Sequence, residues 1–349
     1  MPRGIGTAGA LQSLLLVAVL GAAGCAGQAG PEAAFEHDAT GPATPWNHTA
    51  FDAAADKFTF AVFSDLTGGE RDRIFDVAIA QINLLRPELI LSVGDLIEGD
   101  SAGAPGLHAE WDSFDRRAGE ARAPVFRSGG NHDLTGEMLR EVWRERYGST
   151  WYHFVYKDVL FLVLDTEDNT PERMAYLKRI RDEAVGLVAN EDWEAYRDSE
   201  YFKAHERIFG NITATQADYF IDVLRANPDV RWTFLFMHKP VWRQEQETEF
   251  ARIEAAMADR PYTVFRGHFH AYDYEERYGR DYIGLGTTGG AWNPAAGRSM
   301  DQVALVTVDD DGVDIANLLL PGILDKTGHV PLDGDDLCFE YDDCKDAAH

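Results

Sequence analysis

Residues 58–65 read FTFAVFSD, a strand-forming apolar run that stops at a carboxylate, Asp65. The same kind of ending recurs four more times. ELILSVGD closes on Asp95, APVFRSGGNHD on Asn131, His132 and Asp133, WTFLFMH on His238, and YTVFRGHFH on His268 and His270. Taken singly, each has a structural explanation, because a histidine at a strand end is usually a hydrogen-bonded core residue and Gly-Asp is usually a turn. Five runs in succession that each deliver an oxygen or imidazole donor at the carboxyl end, where open α/β sheets build their sites, point to one shared metal site.

Outward from these runs the chain alternates strand and helix patterns between about Phe58 and Leu320. Strands are predicted at Phe58–Ser64, Leu89–Val93, Val125–Ser128, Tyr152–Tyr156, Val159–Leu164, Trp232–Met237, Tyr262–Phe265, Tyr282–Leu285, Val303–Val308 and Val313–Leu318. Helices are predicted at Arg73–Leu85, Trp111–Ala118, Glu137–Tyr147 and Thr215–Ala226. Strand then helix, repeated, argues for an α/β sheet stack, and the helix-poor final four strands suggest a second sheet running to the C-terminus. Thr166–Asn211 is long, charged and helix-patterned with no strand of its own, so it reads as an inserted helical cap that either borders the site or covers a sheet edge.

The 32 Lys+Arg against 59 Asp+Glu give a net charge of -27, which repels phosphate backbones and argues against nucleic acid as a partner. At the N-terminus, Arg3 precedes the apolar stretch Leu11–Ala23, the layout of an export signal, and it is too short to span a bilayer. The run ends in VLGAAGC, which resembles a bacterial lipobox. Residues 1–24 are then a signal peptide, Cys25 is the acylated first residue of the mature chain, and 25–51 are a flexible tether. On that reading the protein is exported and membrane-anchored, at the periplasm or cell surface. In an exported protein Cys338 and Cys344 pair as a short-loop disulfide within an acidic C-terminal tail, residues 323–349.

Asp65, the Gly94-Asp95 pair, GNHD at 130–133, His238 followed by Lys239-Pro240, and GHFH at 267–270 together resemble the calcineurin-like metallophosphoesterases. The resemblance covers roughly Phe58 to Leu320, within a domain at 52–322, and implies a four-layer αββα sandwich of two mixed β-sheets flanked by helices. It further implies two divalent metal ions, Mn, Zn or Fe, with Asp95 bridging them. Asn131, His238 and His268 would complete one ion, and Asp65 and His270 would hold the other. His132 would protonate or stabilise the leaving oxygen and Asp133 would orient it. Such a centre hydrolyses phosphate mono- or diesters by attack of a metal-bridging hydroxide. The alternative from another class is a lipoprotein that keeps the fold but has lost catalysis and acts as a binding or scaffold protein.

One residue departs from the pattern. The first motif of most relatives is Asp-x-His, whereas here it is Asp65-Leu66-Thr67. Three readings stand: Glu98, three residues after Asp95, supplies a replacement ligand; Thr67 itself binds, directly or through water; or the site has decayed. Arg71, after the glycines Gly68 and Gly69, either pairs with a substrate phosphate oxygen or caps the next helix. Trp242, Tyr272 and Trp292 either line a pocket or belong to the core.

Overall fold

The apolar runs form strands because both of their faces are covered. The computed structural model describes residues 35–49, 57–245, 247–309 and 311–344. The signal peptide and Cys25 lie outside the described residues. The strands are β1 (Phe35–His37), β2 (Phe58–Phe63), β3 (Leu89–Ser92), β4 (Val125–Phe126), β5 (Tyr152–Tyr156), β6 (Val159–Val163), β7 (Trp232–Phe236), β8 (Tyr262–Arg266), β9 (Asp273–Arg277), β10 (Arg280–Gly284), β11 (Gln302–Asp309) and β12 (Gly312–Leu319). They form a seven-stranded sheet ordered β1-β5-β6-β7-β8-β10-β9 and a five-stranded sheet ordered β12-β11-β2-β3-β4. Both sheets are mixed: β2-β3-β4 and β6-β7-β8-β10 run parallel, and the outer strands pair antiparallel.

Along β2 the side chains alternate between two hydrophobic layers, so a strand buried on both faces reads as continuous apolar sequence. Phe60 and Val62 point between the sheets, against Phe161, Phe234 and Phe236. The Phe60 and Phe234 rings meet edge to face with centroids 4.9 Å apart. Burying each such ring contributes roughly 1.5–3 kcal/mol before packing effects. Ala61 and Phe63 point the other way, into a layer formed by α1 (Ile74–Leu85), α2 (Ala104–Ala118), the single-turn α3 (Asn131–Leu134) and α4 (Glu137–Tyr147).

The insertion folds as α5 (Pro171–Ala189), α6 (Trp193–Asp198), α7 (Glu200–Lys203) and α8 (His205–Phe209). Thr170 caps α5 by accepting the Arg173 N–H. Its ends are tied by the Asn211 N–H to the Thr166 carbonyl at 2.7 Å. Then α9 (Ala214–Ala226) and α10 (Glu249–Ala256) cover the outer face of the seven-stranded sheet with Phe220, Leu224, Phe250 and Ile253. The order helix, sheet, sheet, helix is the expected four-layer sandwich. The short α11 (Tyr341–Cys344) closes the described chain.

Three expectations change. Residues 35–49 of the expected tether are packed: β1 pairs with β5, Trp46 is buried, and the Pro45 carbonyl accepts the Arg127 N–H. The Ala, Gly and Pro content hid two aromatic anchors, Phe35 and Trp46, whose rings meet edge on at 5.4 Å. The expected domain boundary at 322 also moves, since Ile323, Val330 and Phe339 of the C-terminal segment join the α1–α2 layer, while the expected disulfide is present, Cys338 bonding Cys344 with Cα atoms 5.8 Å apart. Finally, the last strands divide between the sheets. β8 and β10 extend the seven-stranded sheet, whereas β11 turns back antiparallel onto β2. A lack of intervening helix specifies antiparallel neighbours but not which sheet receives them.

Candidate metal centre

All five motif segments leave their strands on one edge of the sandwich. Register sets this up, for β2 and β3 pair in parallel with Phe63 opposite Ser92, so Asp65 and Asp95 emerge side by side. Asp95 takes φ 57°, and His268 and His270 take φ 78° and 52°. Left-handed backbone at three donor residues is the kind of local strain that sites retain. Atoms of Asp95, His238 and His268 lie within 4.8 Å of one another, as do atoms of Asp65, Asp95 and His270. Asp95 belongs to both groups.

Neighbouring glycines make room for these carboxylates. A Cβ on Gly130 would fall 2.2 Å from Asp95 Oδ1, and one on Gly267 would fall 2.3 Å from Asp65 Oδ2. Asp65 is wholly buried and accepts the His268 N–H at 3.0 and 3.1 Å as well as the Ser64 hydroxyl. Asp95 Oδ1 accepts the His132 N–H at 2.9 Å.

The three imidazoles are each held by a main-chain carbonyl. His238 Nδ1 faces the Val93 carbonyl at 2.9 Å, His268 Nε2 the Arg207 carbonyl at 2.8 Å, and His270 Nδ1 the Ala291 carbonyl at 2.5 Å. A carbonyl only accepts, so those nitrogens carry the hydrogens and the opposite nitrogens turn lone pairs inward. His238 Nε2 stands 3.1 Å from Asp95 Oδ2 but not in hydrogen-bonding alignment, and the buried Asn131 Oδ1 has no hydrogen-bond partner. Buried polar atoms left this way cost free energy unless something binds them. Two carboxylates, a carboxamide oxygen and three imidazoles with free nitrogens fit borderline divalent cations.

The charges are coupled. Burial pushes the Asp95 carboxyl up, but the His238 and His132 charges outweigh it and hold Asp95 well below the usual range. Burial alone would lower His238; the Asp95 charge more than reverses this and raises it to about 9, so a cation taking the Nε2 lone pair displaces a proton there. His268 is held well below its usual value by burial, then by the charges of Lys239 and His238, which favours the neutral form a metal needs.

Other predicted residues sit elsewhere than expected. Asp133 does not touch the His132 ring: its carboxylate accepts the N–H groups of Leu96, Ile97 and Gly130, stitching the GD loop to the GNHD turn. Burial and the Asp95 charge raise its pKa to about 8. The His132 ring is oriented by the Glu98 carbonyl, 2.7 Å from Nδ1. Glu98's carboxylate is occupied by the N–H groups of Gly68, Gly69 and Glu70 at 3.2, 2.9 and 2.8 Å. The Thr67 hydroxyl turns away, donating to the carbonyls of Ile97 at 2.8 Å and Asp95 at 3.2 Å. Arg71 is spent on structure, paired with buried Asp301 at 2.6 Å, bonded to the Gly290 and Cys338 carbonyls and stacked on Trp292. Trp242 packs against Tyr282, and the Tyr272 hydroxyl meets Asn317.

The helical insertion borders the centre. Its Arg207 carbonyl fixes His268, and Arg181 of α5 brings Nη2 to 3.5 Å from His132 Nδ1. Neither was singled out from sequence. A main-chain carbonyl leaves no residue signature, and among the many charged residues of the insertion nothing in the sequence marks Arg181.

The family model for calcineurin-like phosphoesterases matches residues 58–272, and the chain belongs to that family. No curated protein matches it. Among solved structures, a dimetal phosphatase from Danio rerio is similar at 13% identity and TM-score 0.52, over 74% of this chain and 95% of the other. A purple acid phosphatase from yellow lupin (Lupinus luteus) seeds is also 13% identical, with TM-score 0.48, over 75% of this chain and 51% of the other. At such identities the likeness is one of fold.

Proposed function

We propose that this protein is a metal-dependent hydrolase of phosphate mono- or diesters, with the cations held by Asp65, Asp95, Asn131, His238, His268 and His270. The observation that carries this reading is the inward set of lone pairs: three imidazoles whose outer nitrogens are tied to carbonyls, around a carboxylate common to both groups. Two divalent cations there would supply a nucleophilic water at neutral pH and counter-charge for the phosphoryl oxygens.

The chain's own residues supply the rest. Asp95 and Asp65 provide the negative charge that draws cations in. His132 has Nδ1 on the Glu98 carbonyl, and its Nε2 lies 3.6 Å from where a Cβ on Gly68 would stand, a point also 3.0 Å from His270 Cε1. Nε2 is therefore on the cluster side, and as an imidazolium it gives its proton to the departing oxygen while the Glu98 carbonyl steadies the charge. Asp133 keeps the two loops in register. We assign the first cation to Asp65, Asp95 and His270 alone, since Thr67 and Glu98 are engaged with the backbone.

The test is hydrolysis of p-nitrophenyl phosphate and bis-p-nitrophenyl phosphate by metal-stripped protein after addition of Mn²⁺ or Zn²⁺. Turnover that appears with the metal is expected. Its absence on both substrates and on a wider phosphoester panel would favour the non-catalytic binding lipoprotein. We also propose export and lipid anchoring through Cys25, a reading that the Cys338–Cys344 disulfide supports. Cys25→Ser should release the protein from the membrane fraction, and an unchanged distribution would remove the anchor.

A further inference from the structure

Among the described residues four arginines are buried: Arg127, Arg140, Arg181 and Arg266. Three of them carry a hydrogen-bonded carboxylate, respectively Asp115 at 2.8 Å, Asp165 at 2.8 Å, and Asp273. Arg181 does not. Its nearest carboxylate oxygen is Asp100 Oδ1 at 3.4 Å, on a side chain 51% exposed. The ring nitrogen beside it, His132 Nδ1, already gives its hydrogen to Glu98 and has no lone pair to offer. The guanidinium is only 4% exposed and its charge is loosely matched by these two neighbours, which leaves it able to take up an anion.

Its position says which anion. His132 Nε2 faces the metal cluster and Nδ1 faces away, so Arg181 stands one imidazole width beyond the acid that serves the leaving oxygen. On that geometry a charged group on the leaving side comes nearer to it than a phosphoryl group seated at the cluster. Asp100 connects Arg181 to a mostly acidic cavity of about 460 Å³ that it lines together with Glu70, Glu98 and Glu110, and with Arg117 paired to Glu70. Without Arg181 that lining would repel an anionic leaving group.

We propose that Arg181, carried by the helical insertion, selects substrates whose leaving group bears its own anionic group, such as a nucleoside diphosphate, and that Asp100 is the counter-ion this group displaces. The inference rests on the phosphoesterase reading. With ADP, the terminal phosphorus gains a water oxygen, its bond to the bridging oxygen breaks, and AMP leaves on that oxygen with the proton from His132. With AMP as substrate the leaving group is neutral adenosine, which gives Arg181 nothing to hold.

The experiment compares phosphate release from ADP and AMP by the Mn²⁺-loaded full chain, as wild type, Arg181→Gln, Arg181→Lys and Asp100→Asn. Arg181→Gln should lower kcat/KM for ADP at least about 10-fold more than for AMP, mainly through KM, as loss of a charged hydrogen-bond partner does. Arg181→Lys should restore part of the ratio. Asp100→Asn, a change at an exposed side chain that folding tolerates, should shift the ratio toward ADP by about 3-fold through release of the guanidinium. Equal losses on both nucleotides, or an unmoved ratio in both Arg181→Gln and Asp100→Asn, would overturn the assignment. Calorimetric binding of ADP to the loaded protein separates this from the broader reading. If wild type turns over no phosphoester, the hydrolase reading fails, while tighter binding of ADP than AMP that Arg181→Gln abolishes would still uphold the anion site.

Discussion

On one side of Asp95 stand His238, His268 and Asn131, delivered by three separate strand ends, two with their ring hydrogens tied to carbonyls and one with an unmet oxygen. On the other stand Asp65 and His270, and the position that would complete an Asp-x-His pair holds Thr67, bonded into the backbone. On the proposed assignment, one half is a four-ligand set and the other a three-ligand set around the same carboxylate. A cation in the sparser half keeps more positions for water or substrate and is held less firmly. That asymmetry is a matter of ligand number, not of fold, because each half draws on strand ends of both sheets.

The largest effects should come from removing a ligand from each half. His270→Ala leaves the sparser half with two carboxylates, so it should lose one cation equivalent by elemental analysis and metal-dependent turnover should fall to background. His238→Ala leaves three ligands on the fuller side and should weaken that ion without emptying the other half. If the two variants lose metal equally, the two halves are equivalent and the comparison fails.

His132→Ala comes next. Its contact with the ligands is the main-chain N–H on Asp95, which alanine keeps, so metal content should stay near wild type while turnover drops by about 10²–10⁴-fold, the usual range for a positioned acid. The deficit should shrink for a leaving group that departs without a proton, so p-nitrophenyl phosphate should suffer less than a simple alkyl phosphate. Metal loss in this variant would make His132 part of the cation site instead.

How far the sequence reveals this centre depends on what kind of group does the work. Side chains at strand ends were legible, since the apolar runs stop at Asp65, Asp95, His238 and the GHFH histidines and parallel register brings those stops together. The supports were not. Val93, Arg207 and Ala291 act through main-chain carbonyls, which every residue type possesses, so nothing in their identity marks them. Arg71 misled for the opposite reason: next to a glycine loop it looks like a phosphate ligand, and only the fold brings up Asp301, 230 residues away, to neutralise it. Asp133 sits beside His132 in sequence, yet its side chain turns back to the Leu96 and Ile97 amides. The expected tether failed at Phe35 and Trp46, two aromatics sufficient to dock a segment of small residues.

Glu98→Gln should have a smaller effect than His132→Ala. The carboxylate holds three amides of the 68–70 loop, and an amide side chain keeps only one oxygen to do so. Turnover should fall by about 3- to 10-fold, in line with the loss of one charge-assisted hydrogen bond, with metal content unchanged. A lost cation equivalent would instead make Glu98 the replacement ligand and fill the sparser half.

Thr67→Val should perturb catalysis least and tests the same half from its other candidate. Valine matches the threonine in shape but not in its hydroxyl, and Thr67 is 1% exposed, so the substitution leaves the Ile97 carbonyl without its donor in a closed environment. That costs about 1–3 kcal/mol of stability, readable as a lower midpoint in denaturant. Because the hydroxyl hydrogen is directed at two carbonyls and the side chain packs away from the cluster, the cation count and KM should hold. Were the variant to lose its first cation while keeping its folding midpoint, Thr67 would be a ligand, and the sparser half would owe its metal to an oxygen that the fold had seemed to assign to the backbone.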